Sequence, residues 1–191
     1  MKHTHSCSLL VASILIFCTA VALHATTLAQ LSLEQLTSAA TVIARARCTG
    51  SESRWRDGEI WTVTSFRAEE IWKGNLPWEF EVWILGGRSG SVTSYVPGTP
   101  HFQPGEETVL FLEPARSGTL SITAWDEGTF RVRRDPLTDE VRVTQDTASL
   151  PTFDSIARRF RASSIRDWPL EKLKTRVQAA TAGGADQRRK E

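Results

Sequence analysis

The chain is poor in the side chains from which most enzyme sites are built. Of its 191 residues, four are histidine and three are cysteine, and most of these crowd one end. His3, His5, His24, Cys7 and Cys18 precede residue 25, which leaves His101 and Cys48 for all the rest. One histidine and one cysteine cannot supply the nitrogen and sulfur ligands of a zinc site. No HExxH or DxDxDG pattern occurs either, so no metal or other cofactor is expected. Net charge is also missing, with 23 basic residues against 22 acidic ones. Nucleic-acid binding draws on a basic surface that replaces counterions, so no nucleic-acid partner is expected.

Nucleophile and phosphate motifs fall short in the same way. Gly87-Arg88-Ser89-Gly90-Ser91 departs from a nucleophile elbow at its last position. Any serine–histidine pair would have to use His101 on the same loop. Gly86, Gly87 and Gly90 fit neither the dinucleotide nor the Walker spacing, and no helix follows to receive a phosphate. They read as the release of a strand into a tight loop. Glu69-Glu70 and Glu106-Glu107 are carboxylate pairs that any charged surface carries. A non-enzymatic protein is therefore the leading expectation, with a hydrolase of unknown substrate as the alternative.

A long hydrophobic run occurs once. Leu9 to Leu23 is uncharged, follows Lys2, and at about 15 residues is short for a bilayer span. It fits a secretory signal over residues 1–29, with Thr27-Leu28-Ala29 before Gln30 as the cleavage site and Ala25 as a second choice. An uncleaved anchor is the other reading. Leu15-Ile16-Phe17-Cys18 approximates a lipoprotein box, but bulky Phe17 argues against lipid attachment. Cleavage would remove Lys2 and no acid, leaving 22 basic and 22 acidic residues. The expected protein is exported, periplasmic or extracellular, and has no membrane span. Cys48 would then stand alone, so an internal disulfide is impossible and stability must come from the core.

What the chain does contain is alternation. Leu31 to Ala39 predicts a short helix, with Ser32 and Gln35 as a capping box and Leu31–Leu36 as a staple. In TVIARARCTGSESRW, Val42, Ala44, Ala46 and Cys48 alternate with Ile43, Arg45 and Arg47, which predicts a half-buried strand bent by a bulge at Gly50. Arg56-Asp57-Gly58-Glu59 is a hairpin signal. The returning strand puts Ile60, Thr62, Thr64, Phe66 and Ala68 on one face, and WEFEVWIL alternates likewise after Pro77. The stretch Gly86–Pro114 joins a long Gly- and Pro-rich loop to Val109-Leu110-Phe111-Leu112, which reads as a central strand apolar on both faces. Further strands are predicted at Leu120–Trp125, TFRVRR and Val141–Val143. Short strands at this spacing indicate a mainly β fold, a small OB-like antiparallel barrel, over residues 30–146. A helical extension is expected over 147–181. Phe153, Ile156, Ala157 and Phe160 suggest a helix at 154–162, and a second runs from Pro169 until Gly183-Gly184 ends it, before a disordered tail at 182–191.

The run from Ala40 to Pro114, with TVIARARCTGSESRW, EEIWKG, VPGTPHFQPGEETVLFL and then EGTFRV, resembles an uncharacterised group of exported bacterial proteins. The resemblance covers roughly residues 31–133. It implies a small OB-type barrel similar in shape to netrin and metalloprotease-inhibitor (TIMP) modules, which in some relatives is followed by a matrixin-type metalloprotease domain. This chain lacks that domain's zinc motif. TIMP-like inhibitors also reach a protease zinc through an N-terminal cysteine, and here Gln30 would stand in that place.

Two features remain as candidate binding surfaces. The 86–106 loop carries Arg88, Tyr95, His101 and Phe102, which would form a recognition rim for a protein or cell-envelope component. The second is tryptophan. Trp55, Trp61, Trp72, Trp78, Trp83 and Trp125 fall in the β region, and Trp61 and Trp83 lie opposite the apolar faces. Exposed, they could stack on sugar rings, making carbohydrate the other possible ligand. The expectation is that they pack beneath the helices at 154–162 and 169–180, whose apolar stripes need a partner.

Overall fold

Five consecutive residues, Thr108 to Leu112, are buried in the strand Glu107–Pro114, as an unbroken apolar run requires of a strand with a core on each side. That strand, β6, organises the structure. The computed structural model describes residues 31–115, 118–147, 152–154, 159–161 and 165–188. The expected signal segment and Gln30 lie outside the described residues.

The short helix α1 (Leu33–Ala39) has the predicted capping box: Ser32 Oγ accepts from the Gln35 amide, and Gln35 Oε1 accepts from the Ser32 amide. Strands β1 (Val42–Arg56) and β2 (Glu59–Lys73) then form one long antiparallel hairpin. Asp57 and Gly58 turn it with φ of 52° and 83°, the two left-handed residues that match the twist of the strands. The register slips between Cys48 and Gly50, where the bulge was expected. β3 (Glu79–Leu85) pairs with β2, and β6 pairs with β1 from Val42↔Leu112 to Arg47↔Glu107. β7 (Leu120–Ile122) pairs with β6 and meets β3 in parallel at a single residue pair, Val82↔Leu120. The result is a ring of five strands, β1-β2-β3-β7-β6, closed by that one pair and so not a continuous barrel. β8 (Thr129–Arg134) and β9 (Val141–Gln145) continue the sheet from β6, and β12 (Trp168–Pro169) ends it.

The two faces of β6 serve two cores. Leu110 and Leu112 join Ala44, Ala46, Cys48, Phe66, Phe80 and Val82 inside the ring. Val109 and Phe111 join Ile43, Trp72, Phe130 and Val143 on the far side, where Leu36 of α1 and Leu170, Leu173 and Val177 of the C-terminal helix α2 (Leu170–Arg188) cover them. Ion pairs clamp this layer, Lys174 to Glu70 and Arg176 to Glu34.

Two C-terminal expectations need correction. Thr152–Asp154 and Arg159–Arg161 are antiparallel strands (β10 and β11) that pair Phe153 with Phe160, so they are not parts of one helix. A short apolar set spaced 3, 1 and 3 satisfies helical period, yet its ends serve equally as cross-strand partners. Ile156 and Ala157 lie outside the described residues. Gly183-Gly184 does not end α2, which continues through both to Arg188. Neither glycine takes the positive φ of a helix stop.

Candidate functional site

Cross-strand pairing sets the outer face of the long hairpin. Arg54 lies opposite Trp61, Glu52 opposite Val63 and Arg56 opposite Glu59, while on the other side of β2 Val63 faces Trp83 and Trp61 faces Leu85. Period-two geometry therefore gathers Arg54, Arg56, Glu59, Trp61, Trp83 and Leu85 on one surface. The indoles of Trp61 and Trp83 stand 6.4 Å apart at a tilt of 55°. Both are half-buried, and neither belongs to the core that α1 and α2 cover. Trp72 is buried in that core, and Trp168 packs against it. The expected packing of Trp61 and Trp83 under helices is thus overturned for α2, which covers the core containing Trp72, Val109 and Phe111.

This surface is a groove. A depression of about 460 Å³ is lined by Trp61, Trp83, Arg56, Asp57, Glu59 and Thr119, within the range of about 300–1,000 Å³ usual for ligand sites. The Arg54 and Arg56 guanidiniums lie 5.1 and 4.7 Å from the centre of the Trp83 ring, close enough for cation–π attraction. A second depression, of about 200 Å³, shares Trp61 and Trp83 and extends past Thr99 and Pro100 to Trp125. The 86–106 loop thus supplies part of one wall.

The loop itself is held down where it leaves β3. Thr62 Oγ1 donates to the Gly86 carbonyl at 2.7 Å, and the Arg88 amide donates to Ser53 Oγ. Gly87 sits so close to this hydroxyl pair that a Cβ would come within 2.2 Å of Thr62 Oγ1, and its φ is 130°. Its glycine identity is therefore structural, as the strand-release reading requires. From there β4 (Gly87–Ser89) and β5 (Val92–Ser94) project as a small hairpin.

The four loop residues singled out in the sequence are not brought together as one rim. Arg88 is exposed on the hairpin and Tyr95 follows it at 70% exposure. His101 is exposed, and its carbonyl accepts from Arg131 at 2.9 Å. Phe102 is buried in the ring interior, edge-on to Phe66 at 5.1 Å, with the Arg131 guanidinium 4.6 Å from its ring centre. It belongs to the core, and an aromatic flanked by loop signals gave no local hint of that. Trp125, expected at the end of a strand from Leu120, instead opens a short 3-10 turn at Trp125–Gly128, and the strand β7 stops at Ile122.

Cys48 is 1% exposed, and burial pushes its thiol up from the ordinary value, the reverse of an activated nucleophile. Among the described residues no group of three or more His, Cys, Asp or Glu is placed to hold a metal ion, and no helix is long and apolar enough to cross a membrane. No protein-family model matches the chain, and no curated protein does.

Proposed function

We propose that the chain is an exported, non-enzymatic binding module that recognises an oligosaccharide of the cell envelope through the tryptophan groove. The observation that carries this reading is the placement of Trp61 and Trp83: side by side, half exposed, in a groove that neither helix covers. Indole faces attract the C–H faces of sugar rings, and flanking guanidinium and carboxylate groups supply donors and acceptors for hydroxyls. The ring of five strands supports treating the module as OB-like, a family of shapes whose open sheet face takes extended ligands. Export rests on the Leu9–Leu23 run, and N-terminal sequencing of the mature chain should begin at Gln30; a chain starting at Met1 would remove it.

A second reading keeps the 86–106 loop as a protein-recognition surface. It is favoured by one observation, the exposure of Tyr95 and Val92 on a hairpin pinned to the rigid β1–β2 face. One experiment separates the two. Glycan-array and envelope pull-down assays compare wild type, a Trp61→Ala/Trp83→Ala variant, and an Arg88→Ala/Tyr95→Ala/His101→Ala variant. The sugar reading expects capture to be lost only with the tryptophans. Loss confined to the loop variant would sink it and favour a protein partner.

A further inference from the structure

We infer that the groove holds consecutive units of an uncharged oligosaccharide chain, with Trp61 and Trp83 as one platform and Trp125 as a second; this rests on the sugar reading of the groove. The two depressions are neighbours that share Trp61, Trp83 and Ala115 in their linings. A ligand seated on the tryptophan pair therefore has the second depression directly beside it. That second depression is lined by Ile84 and Leu85 of β3 and by Ser121 and Ile122 of β7, beyond the single pairing of these strands at Val82↔Leu120. Ile84, Leu85, Pro100 and Ile122 make it largely apolar, a surface for ring faces and not for charged groups.

Charge sets the class of chain. The guanidiniums of Arg54 and Arg56 lie by the Trp83 ring, Arg56 pairs with Asp57 at 3.5 Å, and Glu59 lines the same depression. Two positive and two negative groups cancel in field but not in hydrogen bonding: guanidiniums donate to hydroxyl oxygens and carboxylates accept from hydroxyl protons. Contact with the indole restrains each guanidinium near the groove, where its N–H groups can donate. A carboxylate on every unit would lose to Asp57 and Glu59 what it gained from Arg54 and Arg56, whereas a neutral chain would use all four groups through its hydroxyls.

Trp125 is placed by an unusual backbone. Ala124 and Trp125 both have φ of 52°, and left-handed geometry costs a non-glycine residue roughly 1–2 kcal/mol. The Asp126 amide donates to the Gly98 carbonyl at 3.2 Å and Thr129 Oγ1 to the Trp125 carbonyl at 3.2 Å, tying the strained turn to the loop and to β8. The turn leaves the indole 41% exposed at the end of the groove. Strain held in place by its surroundings is characteristic of binding sites.

The test is titration of ¹⁵N-labelled protein with malto- and cello-oligosaccharides of two to six units, and with oligogalacturonates of the same lengths, following the indole N–H signals. Short neutral oligomers should shift Trp61 and Trp83, with Trp125 responding only to longer ones. Affinity should rise on the order of fivefold as it does so. Trp125→Ala should remove most of that gain, while its spectrum shows that the fold persists. If no oligomer of either charge moves any of the three indoles, the sugar reading itself falls. If Trp61 and Trp83 respond but Trp125 never does, or if galacturonates bind more tightly than neutral chains, this inference falls alone.

Discussion

Glu127 shows how one residue couples distant parts of the chain. It is 7% exposed, accepts the Leu31 amide on its carboxylate at 2.9 Å, and takes the Gln145 side-chain amide on its backbone carbonyl. Burial raises its pKa above the ordinary 4.5, and the Leu31 hydrogen bond only partly opposes this. The folded state therefore binds this proton more tightly than the unfolded chain does. Stability from the protonated form is fully present below pH 4.5 and is lost as pH rises through the raised folded value. Glu127→Gln keeps an acceptor for Leu31 and removes the titration. Denaturant midpoints measured from pH 4 to 7 should show wild type losing stability relative to the variant as pH rises; parallel curves would exclude this role. Carboxylates with lowered pKa, such as Glu34 beside Arg176, act in the window below 4.5 and do not confuse the comparison. None of this coupling was legible in the sequence, since Leu31 and Glu127 are 96 positions apart.

At the level of elements, what could be read depended on whether local pattern and tertiary partner agreed. The capping box, the Asp57-Gly58 turn, the Gly50 bulge and the apolar β6 run all met neighbours that their own pattern demanded. The candidate site was half legible. Alternation alone placed Trp61 and Trp83 on a shared outer face, but which face α2 would choose is decided by Val109, Phe111 and Trp72, and no local pattern announces that choice. Phe102 failed for the same reason, since Phe66 and Arg131 hold it and its flanking prolines do not. The end of α2 misled differently, because a Gly-Gly pair stops a helix only where φ turns positive, and here it does not. A Cβ at either glycine meets open space. Gly183→Ala/Gly184→Ala should raise the helical signal in circular dichroism and stabilise the helix by up to about 1 kcal/mol per site. Loss of helicity would mean that these residues terminate α2 after all.

For the whole molecule, the decisive fact is that β1 and β6 are shared by both cores. Ala44, Ala46, Leu110 and Leu112 line the ring, while Ile43, Val109 and Phe111 back onto the helices. Releasing α2 would expose Val109 and Phe111 on the strand whose other face fills the ring, so the helical layer should not peel away as a separate unit. Cutting one core must then be felt in the other. Leu110→Ala, inside the ring, and Leu173→Ala, beneath α2, remove fully buried leucines, and each should cost about 2–5 kcal/mol. In both variants, urea unfolding followed by helical circular dichroism and by tryptophan fluorescence should give coincident transitions, as expected of a single cooperative unit. If Leu173→Ala moved the helical transition to lower urea while the fluorescence transition stayed in place, the helical layer would be a separable unit. The groove would then be expected to survive without it. Coincident transitions instead make the helices a condition for the platform that Trp61 and Trp83 form.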